Sequence, residues 1–265
     1  MKLGFIGVGN MGGAILRGIL AKGYVQAGDI TISDANSELA HKFEDEVAVK
    51  VAANNIALAE ACDLIILAVK PFLLGDVLTE IKSVLPGKRI LSIAAGWTFQ
   101  MLQDATDKKV QVLRAMPNTP AMVGEGLTAF CQENTFDAES FEYAKGLFEA
   151  VGRVAVVPER LFDGVIAVSG SSPAYIYQFA KVICDRAEEL GIDRECANRL
   201  FCKTLIGSAH MMMETGKTHQ ELIDMVTSPG GATFAGLKAL SEGDFDQTLR
   251  NCYDATTKRA YELGK

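Results

Sequence analysis

Long apolar runs, histidines and closely paired cysteines are all scarce in this 265-residue chain, and each scarcity removes a class of function. Apolar stretches such as Leu64 to Val69 fall far short of the roughly 18 residues that a membrane-spanning helix needs, so no membrane span is expected. The opening Met1-Lys2-Leu3-Gly4-Phe5-Ile6-Gly7 meets glycines after a few apolar positions; it reads as a first strand rather than a signal peptide. The three histidines, His41, His210 and His219, have no metal-ligand spacing with one another or with cysteine, so no metal is expected. Six cysteines are scattered without a C-x-x-C pair in a chain too long for a disulfide-stapled scaffold, which points to reduced thiols and a cytoplasmic setting. Net charge is -7 and neither half of the chain is basic, so nucleic acid is not an expected partner.

What remains is an ordinary globular composition, 49% apolar and 22% charged, with enough Leu, Ile, Val and Phe to exclude disorder. At about 150 residues per domain, the length suits one large domain or two modest ones. From Lys2 to about Val157, short β-branched runs alternate with helical stretches, the pattern of a parallel sheet with crossover helices. Strands are expected at Leu3 to Gly7, Ile30 to Asp34, Val49 to Ala52, Leu64 to Val69, Ile90 to Ala94, Val110 to Ala115, Leu127 to Cys131 and Val154 to Val157. Helical periodicity marks Met11 to Lys22, Ser37 to Glu46, Leu73 to Leu85 and Phe136 to Ala150. After Pro158 only helices are expected: Pro173 to Leu190, starting after a Ser172 cap, then Arg194 to Thr215, Thr218 to Val226, Phe234 to Glu242 and Phe245 to Leu263. The fold class is therefore an α/β Rossmann-type doubly wound sheet (1–160) followed by an all-α domain (161–265). Ile176, Phe179, Val182 and Ile183, beside Tyr175 and Ala180, make the first long helix apolar on more than one face, which predicts a subunit interface.

Gly7-Val8-Gly9-Asn10-Met11-Gly12 follows the first strand and opens the first helix, the context in which G-x-G-x-x-G binds a dinucleotide. Gly7 permits the tight turn, Gly9 lets the pyrophosphate approach the main chain and Gly12 lets helix and strand pack closely. Asp34 ends the second strand, where a carboxylate can accept from the adenosine ribose hydroxyls; Asp34-Ala35-Asn36-Ser37 is equally a turn in which Asp or Ser caps the next helix. Val69-Lys70-Pro71 and Ala94-Ala95-Gly96 end two further strands on the same carboxyl edge, as cofactor contacts or as plain turns.

Three more segments combine Pro or Gly rigidity with polar donors: Met116-Pro117-Asn118-Thr119-Pro120-Ala121, Gly170-Ser171-Ser172-Pro173-Ala174-Tyr175 and Ser228-Pro229-Gly230-Gly231-Ala232-Thr233. The third precedes a helix start, whose N–H groups can hold a carboxylate without a basic side chain. With the glycine motif, these segments resemble the Δ1-pyrroline-5-carboxylate reductase family over essentially the whole chain. Asp224 to Thr233 carries the most specific part of the likeness. The β-hydroxyacid dehydrogenases share the opening, but their helical lysine has no counterpart before Lys181.

The resemblance implies NAD(P)H-dependent reduction of the cyclic imine pyrroline-5-carboxylate to proline, the last step of proline biosynthesis. It implies that Asn10, Met11, Asn55, Val69, Lys70, Pro71, Ala94, Ala95, Gly96, Pro117 and Asn118 join Gly7, Gly9, Gly12 and Asp34 in holding NADPH or NADH. Thr119, Ser171 and Pro173 are expected beside the nicotinamide. Ser228, Gly230, Gly231, Ala232 and Thr233 would bind the substrate, with Thr233 the catalytic contact to its nitrogen. A homodimer through the carboxyl-terminal helices is implied, which in several members assembles further into a decamer of five dimers. Thr218-His219-Gln220 stands where His-Pro is expected, and Ile223 where a lysine is common; both bear on fine specificity and leave the chemistry in place.

Overall fold

A computed structural model describes residues 1–263. Strands β1 (Leu3–Ile6), β2 (Ile30–Ser33), β3 (Lys50–Val51), β4 (Leu64–Leu67), β5 (Arg89–Ser92), β6 (Gln111–Met116), β7 (Gly126–Cys131) and β8 (Gly152–Val157) form one sheet in the order β3-β2-β1-β4-β5-β6-β7-β8. All pairings are parallel except β6 with β7, where Ala115 stands opposite Phe130 in antiparallel register. The winding reverses between β1 and β4, and this opens a crevice beyond the carboxyl ends of those strands.

Helices α1 (Asn10–Ala21), α2 (Ser37–Val47), α3 (Asn55–Ala61), α4 (Leu74–Ile81), α5 (Phe99–Ala105) and α6 (Ala138–Glu149) cover the sheet. Strand β4 shows why both faces need cover: Leu64, Ile65, Ile66 and Leu67 are all fully buried. Leu64 and Ile66 pack in one cluster with Ile15, Leu16, Phe43 and Phe148, while Ile65 and Leu67 pack in another with Leu58, Leu74, Leu78 and Leu102. Successive side chains of one strand thus feed opposite helical layers, as a central parallel strand requires. Helices α3 and α5, seven residues each, are absent from the sequence expectation because so short a period is hard to see among alternating strands. Both carry caps, since Asn54 accepts from the Ala57 N–H at 2.8 Å and Thr98 from that of Met101 at 3.1 Å.

Beyond β8 the chain turns helical earlier than Ser172. A 3-10 turn (Glu159–Leu161) leads into α7 (Phe162–Val165), a π turn (Ile166–Gly170) and α8 (Ser172–Glu189). The expected cap therefore does not form: the Ser172 hydroxyl donates to the Ala167 carbonyl at 2.8 Å, and no open helix terminus exists at Ser171 to Pro173. A buried charge fixes this departure from the sheet. Arg114, 3% exposed, donates to Glu159 Oε1 at 3.0 Å and lies 4.3 Å over the Phe162 ring. The same oxygen accepts the Phe99 N–H at 2.6 Å, and the Glu159 N–H donates to Glu133 at 2.7 Å.

The chain divides into two compact units, Met1–Pro173 with Ala255–Lys265, and Ala174–Asp254; the last two residues of the first lie outside the described residues. The second holds most of α8 with α9 (Arg194–Glu214), α10 (His219–Met225), α11 (Ala232–Glu242) and the first half of α12 (Phe245–Leu263). Asp193 caps α9, and Thr218 with Glu221 forms a reciprocal capping box on α10. Of this unit's described residues only Cys184 and Ala197 are buried, while Val182, Leu200 and Met213 are 55%, 59% and 72% exposed. His210 is exposed beside Glu214 at 2.7 Å. None of the six cysteines is in a disulfide, and no described helix is long and apolar enough to cross a membrane.

Asp137 caps α6 by accepting the Ser140 N–H at 2.8 Å and also accepts from Gln111 and Arg89. These bonds, the Ser140 N–H first, hold its carboxyl well below the usual carboxylate range. Because the folded state favours the ionised form, the stabilisation is present above the unfolded pKa of about 4 and fades as pH falls through the lower folded value. Asp137→Asn is therefore less stable than the parent at neutral pH, and the gap closes on acidification. Urea melts across pH 7 to 3 measure this, and a gap independent of pH would contradict it.

Candidate active site

The glycine turn is built as its spacing predicts. Gly7 has φ +95, and a Cβ there would lie 2.8 Å from the Ala68 carbonyl oxygen. At Gly12 a Cβ would stand 2.3 Å from the Gly7 carbonyl oxygen and 3.0 Å from the Ala68 side chain, so only glycine lets α1 start against the strand. Gly9 differs: its φ of -63 suits any residue, and a Cβ would meet nothing within 4 Å. Its open face, at an α1 start that no side chain caps, leaves the first N–H groups of the helix, at Asn10, Met11 and Gly12, aimed at an anion. These residues fit a dinucleotide pyrophosphate.

Asp34 sits beside that turn. Its Oδ2 accepts the Val8 N–H at 2.8 Å and its Oδ1 the Asn36 N–H at 2.9 Å. Helix α2 is capped by Asn36, which accepts the Leu39 N–H at 3.2 Å, and this corrects the expectation that Asp34 or Ser37 would cap it. Asn55, the first residue of α3, accepts the Ser33 hydroxyl at 2.8 Å and donates to Glu80 at 2.7 Å. Neither partnership was legible in the sequence, because Ser33, Asn55 and Glu80 are far apart along it.

Val69, Lys70 and Pro71 follow β4, and Ala94, Ala95 and Gly96 follow β5, so both groups stand on the same carboxyl edge as the glycine turn. The Trp97 indole N–H donates to the Pro71 carbonyl at 3.0 Å and ties the two loops together, a contact the sequence did not signal. Lys70 is exposed, Ala94 and Gly96 buried. Pro117 and Asn118 follow β6. The Asn118 amide accepts the Leu127 N–H at 2.9 Å and donates to the Ser169 hydroxyl at 3.1 Å, so its side chain braces the loop. Thr119, itself exposed, begins a 3-10 turn (Thr119–Val123).

The segment Ser228 to Thr233 belongs to the helical unit. Ser228, Pro229, Gly230 and Gly231 make a tight turn in which the Gly231 N–H donates to the Ser228 carbonyl at 3.0 Å and Gly230 has φ +73. Proline second and a positive-φ glycine third are what a type II turn demands. Helix α11 begins at Ala232, two residues ahead of the expected Phe234, so Thr233 lies in its first turn. Gly231 supplies no capping side chain, and a Cβ there would stand 2.5 Å from the Ser228 Oγ. The turn thus presents unpaired helix N–H groups, the Ser228 hydroxyl and the Thr233 hydroxyl, all exposed and without a charged side chain in the loop. Such a set suits a small carboxylate. Among the described residues no group of His, Cys, Asp and Glu is arranged to hold a metal ion.

Comparison with known proteins agrees with this geometry. Residues 159–263 match the family model for pyrroline-5-carboxylate reductase dimerisation, and residues 2–96 match that for NADP oxidoreductase, coenzyme F420-dependent. The chain is 36% identical to the pyrroline-5-carboxylate reductase of Methanosarcina acetivorans, covering 100% of this chain and 98% of that one. It is 37% identical to that of Arabidopsis thaliana, covering 100% and 96%. The crystal structure of the Plasmodium falciparum pyrroline carboxylate reductase with NADP bound superposes with a TM-score of 0.93 at 30% identity, covering 100% of this chain and 98% of that one.

The different surroundings of Gly9 and Gly12 separate two effects of adding one methyl group. Gly9→Ala is expected to leave the thermal midpoint nearly unchanged while weakening dinucleotide binding on the order of tenfold, by blocking close approach. Gly12→Ala is expected to cost about 1–3 kcal/mol of stability through overpacking. Thermal melts and calorimetric titration of the cofactor, run on both variants, check the pair; equal destabilisation by both would refute the assignment.

Proposed function

The chain belongs to the pyrroline-5-carboxylate reductase family, and from this premise we propose how its residues divide the work. It is an NAD(P)-dependent oxidoreductase that reduces Δ1-pyrroline-5-carboxylate to proline in proline biosynthesis. The reading of the substrate site rests on one observation: a rigid Ser228–Gly231 turn delivers an uncapped α11 start with Thr233 in its first turn.

In our reading the first N–H groups of α11, at Ala232 and Thr233, and the Ser228 hydroxyl bind the substrate carboxylate. Gly230 and Gly231 keep side chains out of the approach. The Thr233 hydroxyl contacts the ring nitrogen. A threonine hydroxyl is a poor acid at neutral pH, and the loop holds no His, Asp or Glu. The substrate therefore enters as the protonated iminium, already activated at carbon, and Thr233 orients it. Bound NAD(P)H supplies the hydride to the imine carbon, whose π pair passes to nitrogen and leaves the secondary amine of proline. Gly7, Gly9, Asn10, Met11, Gly12, Asp34, Asn55, Val69, Lys70, Pro71, Ala94, Ala95, Gly96, Pro117 and Asn118 form the cofactor side; of these, Asn55 and Asn118 act through side chains already bonded within the protein.

The chain oligomerises through its dimerisation domain. We propose a homodimer in which the exposed apolar faces of α8 and α9 meet a second copy, with the decamer of five dimers as the larger assembly. Residues 1–160 would carry the dinucleotide, and residues 161–265 the substrate and the subunit contact. The scattered thiols favour a cytoplasmic setting.

Oxidation of NAD(P)H in the presence of pyrroline-5-carboxylate tests the activity directly. Thr233→Ala is expected to lower kcat/KM about 10- to 100-fold, the worth of a hydrogen bond to a charged group. Thr233→Ser should retain most of it. If the iminium is the reacting form, kcat/KM falls with rising pH in all three proteins. Full turnover by Thr233→Ala at every pH would remove the proposed role.

A further inference from the structure

The adenosine corner of the cradle carries charge that the reduction itself does not use. The Asp34 carboxylate has about four acceptor positions on its two oxygens. Val8 and Asn36 each occupy one with a backbone N–H, one on Oδ2 and one on Oδ1. One position on each oxygen remains, a pair suited to two vicinal hydroxyl donors such as the 2′ and 3′ groups of an adenosine ribose. A 2′-phosphate has mostly acceptor oxygens at neutral pH and would set its charge against the carboxylate.

Among the described residues, neither β2 nor the loop after it carries a Lys or Arg to offset that repulsion. Between Lys22 and Lys42, which flank β2 and the loop after it, there is no Lys or Arg, and there is none between Lys50 and Lys70. Arg17 is held by both oxygens of Glu46, at 2.7 and 2.9 Å, and lies 4.2 Å over the Phe43 ring. Lys50 donates to the Gly28 carbonyl, and Lys70 follows β4, on the opposite side of β1 from β2. A second carboxylate instead reaches the corner. Ser33, the last residue of β2, donates to Asn55, and Asn55 donates to Glu80, so an anion pins the amide beside the end of β2.

We propose that this enzyme selects NADH over NADPH, with Asp34 the specificity-determining residue and Glu80, through Asn55, a positioning residue that reinforces it. The proposal rests on the reductase reading of the same site, and the test separates the two. Calorimetric titration of the purified full chain with NADH and with NADPH, in a buffer without phosphate, is expected to give a Kd ratio favouring NADH on the order of tenfold or more. AMP should compete with NADH better than adenosine 2′,5′-bisphosphate does. Asp34→Ser keeps an acceptor near Val8 and is expected to shrink the NADH preference on the order of tenfold; Glu80→Gln keeps the bond to Asn55, removes the charge and narrows the ratio by less. Should Asp34→Ser melt early, the parent ratio, the two competitors and Glu80→Gln still decide. Equal or tighter binding of NADPH by the parent, with imine reduction intact, overturns this proposal alone. Binding of neither cofactor overturns the reductase reading and the proposal together.

Discussion

One close approach governs the cofactor side of the molecule: the first turn of α1 lies so near the end of β1 that a single Cβ at Gly12 would stand 2.3 Å from the Gly7 carbonyl oxygen. That contact places the α1 terminus at the carboxyl edge, directly above the turn. The neighbouring strand ends are then tied in by polar contacts. Asp34 bonds the end of β2 to Val8, Ser33 bonds Asn55, and Trp97 bonds Pro71. A site assembled from the ends of several strands holds its shape only when such ties fix the loops, since loops pack poorly on their own.

The two units solve the problem of burial in different ways. The sheet fills both its faces with helices and encloses large side chains such as Phe5, Phe43, Phe130 and Phe148. The helical unit encloses almost nothing large. Its apolar residues face outward along long amphipathic helices, so the free energy that orders them comes from association, as expected of a dimerisation domain.

Much of this was legible because the signals were strong and local. Leu64 to Leu67 is an uninterrupted apolar run that only a doubly covered strand explains, and the glycine spacing fixed where the first helix had to begin. Helices α3 and α5 were hidden because each is only two turns long and lies among strands, whereas α10, equally short, was legible because the β-branched runs stop after Pro158. The path from Glu159 to Gly170 was hidden for a different reason: the interaction that makes it helical is a bond from Glu159 to a buried arginine 45 residues earlier, which local pattern cannot express. Asp34 stayed ambiguous because one carboxylate can cap, brace or bind. Its partners in space show that Asp34 braces the turn and Asn36 caps the helix, and they leave an acceptor position on each Asp34 oxygen available for binding. Thr233 was singled out by family likeness, and its place inside α11 followed from a turn that ends two residues sooner than the apolar pattern suggests.

The π turn at Ile166–Gly170 has a consequence for how this chain can vary. There the Ser171 N–H reaches back five residues, to the Ile166 carbonyl at 2.8 Å, so the helical path holds one more residue than an α-helix would in the same turn. Such a loop of slack is a phase adjuster. Removing one residue within it would restore an ordinary turn and leave the side chains beyond on nearly their present bearing, because five residues of a π turn and four of an α turn each sweep little more than one revolution. Ile176, Phe179, Val182 and Ile183 would keep the face they now present. This short stretch therefore tolerates the loss of one residue, which anywhere in a regular helix would turn the whole following face.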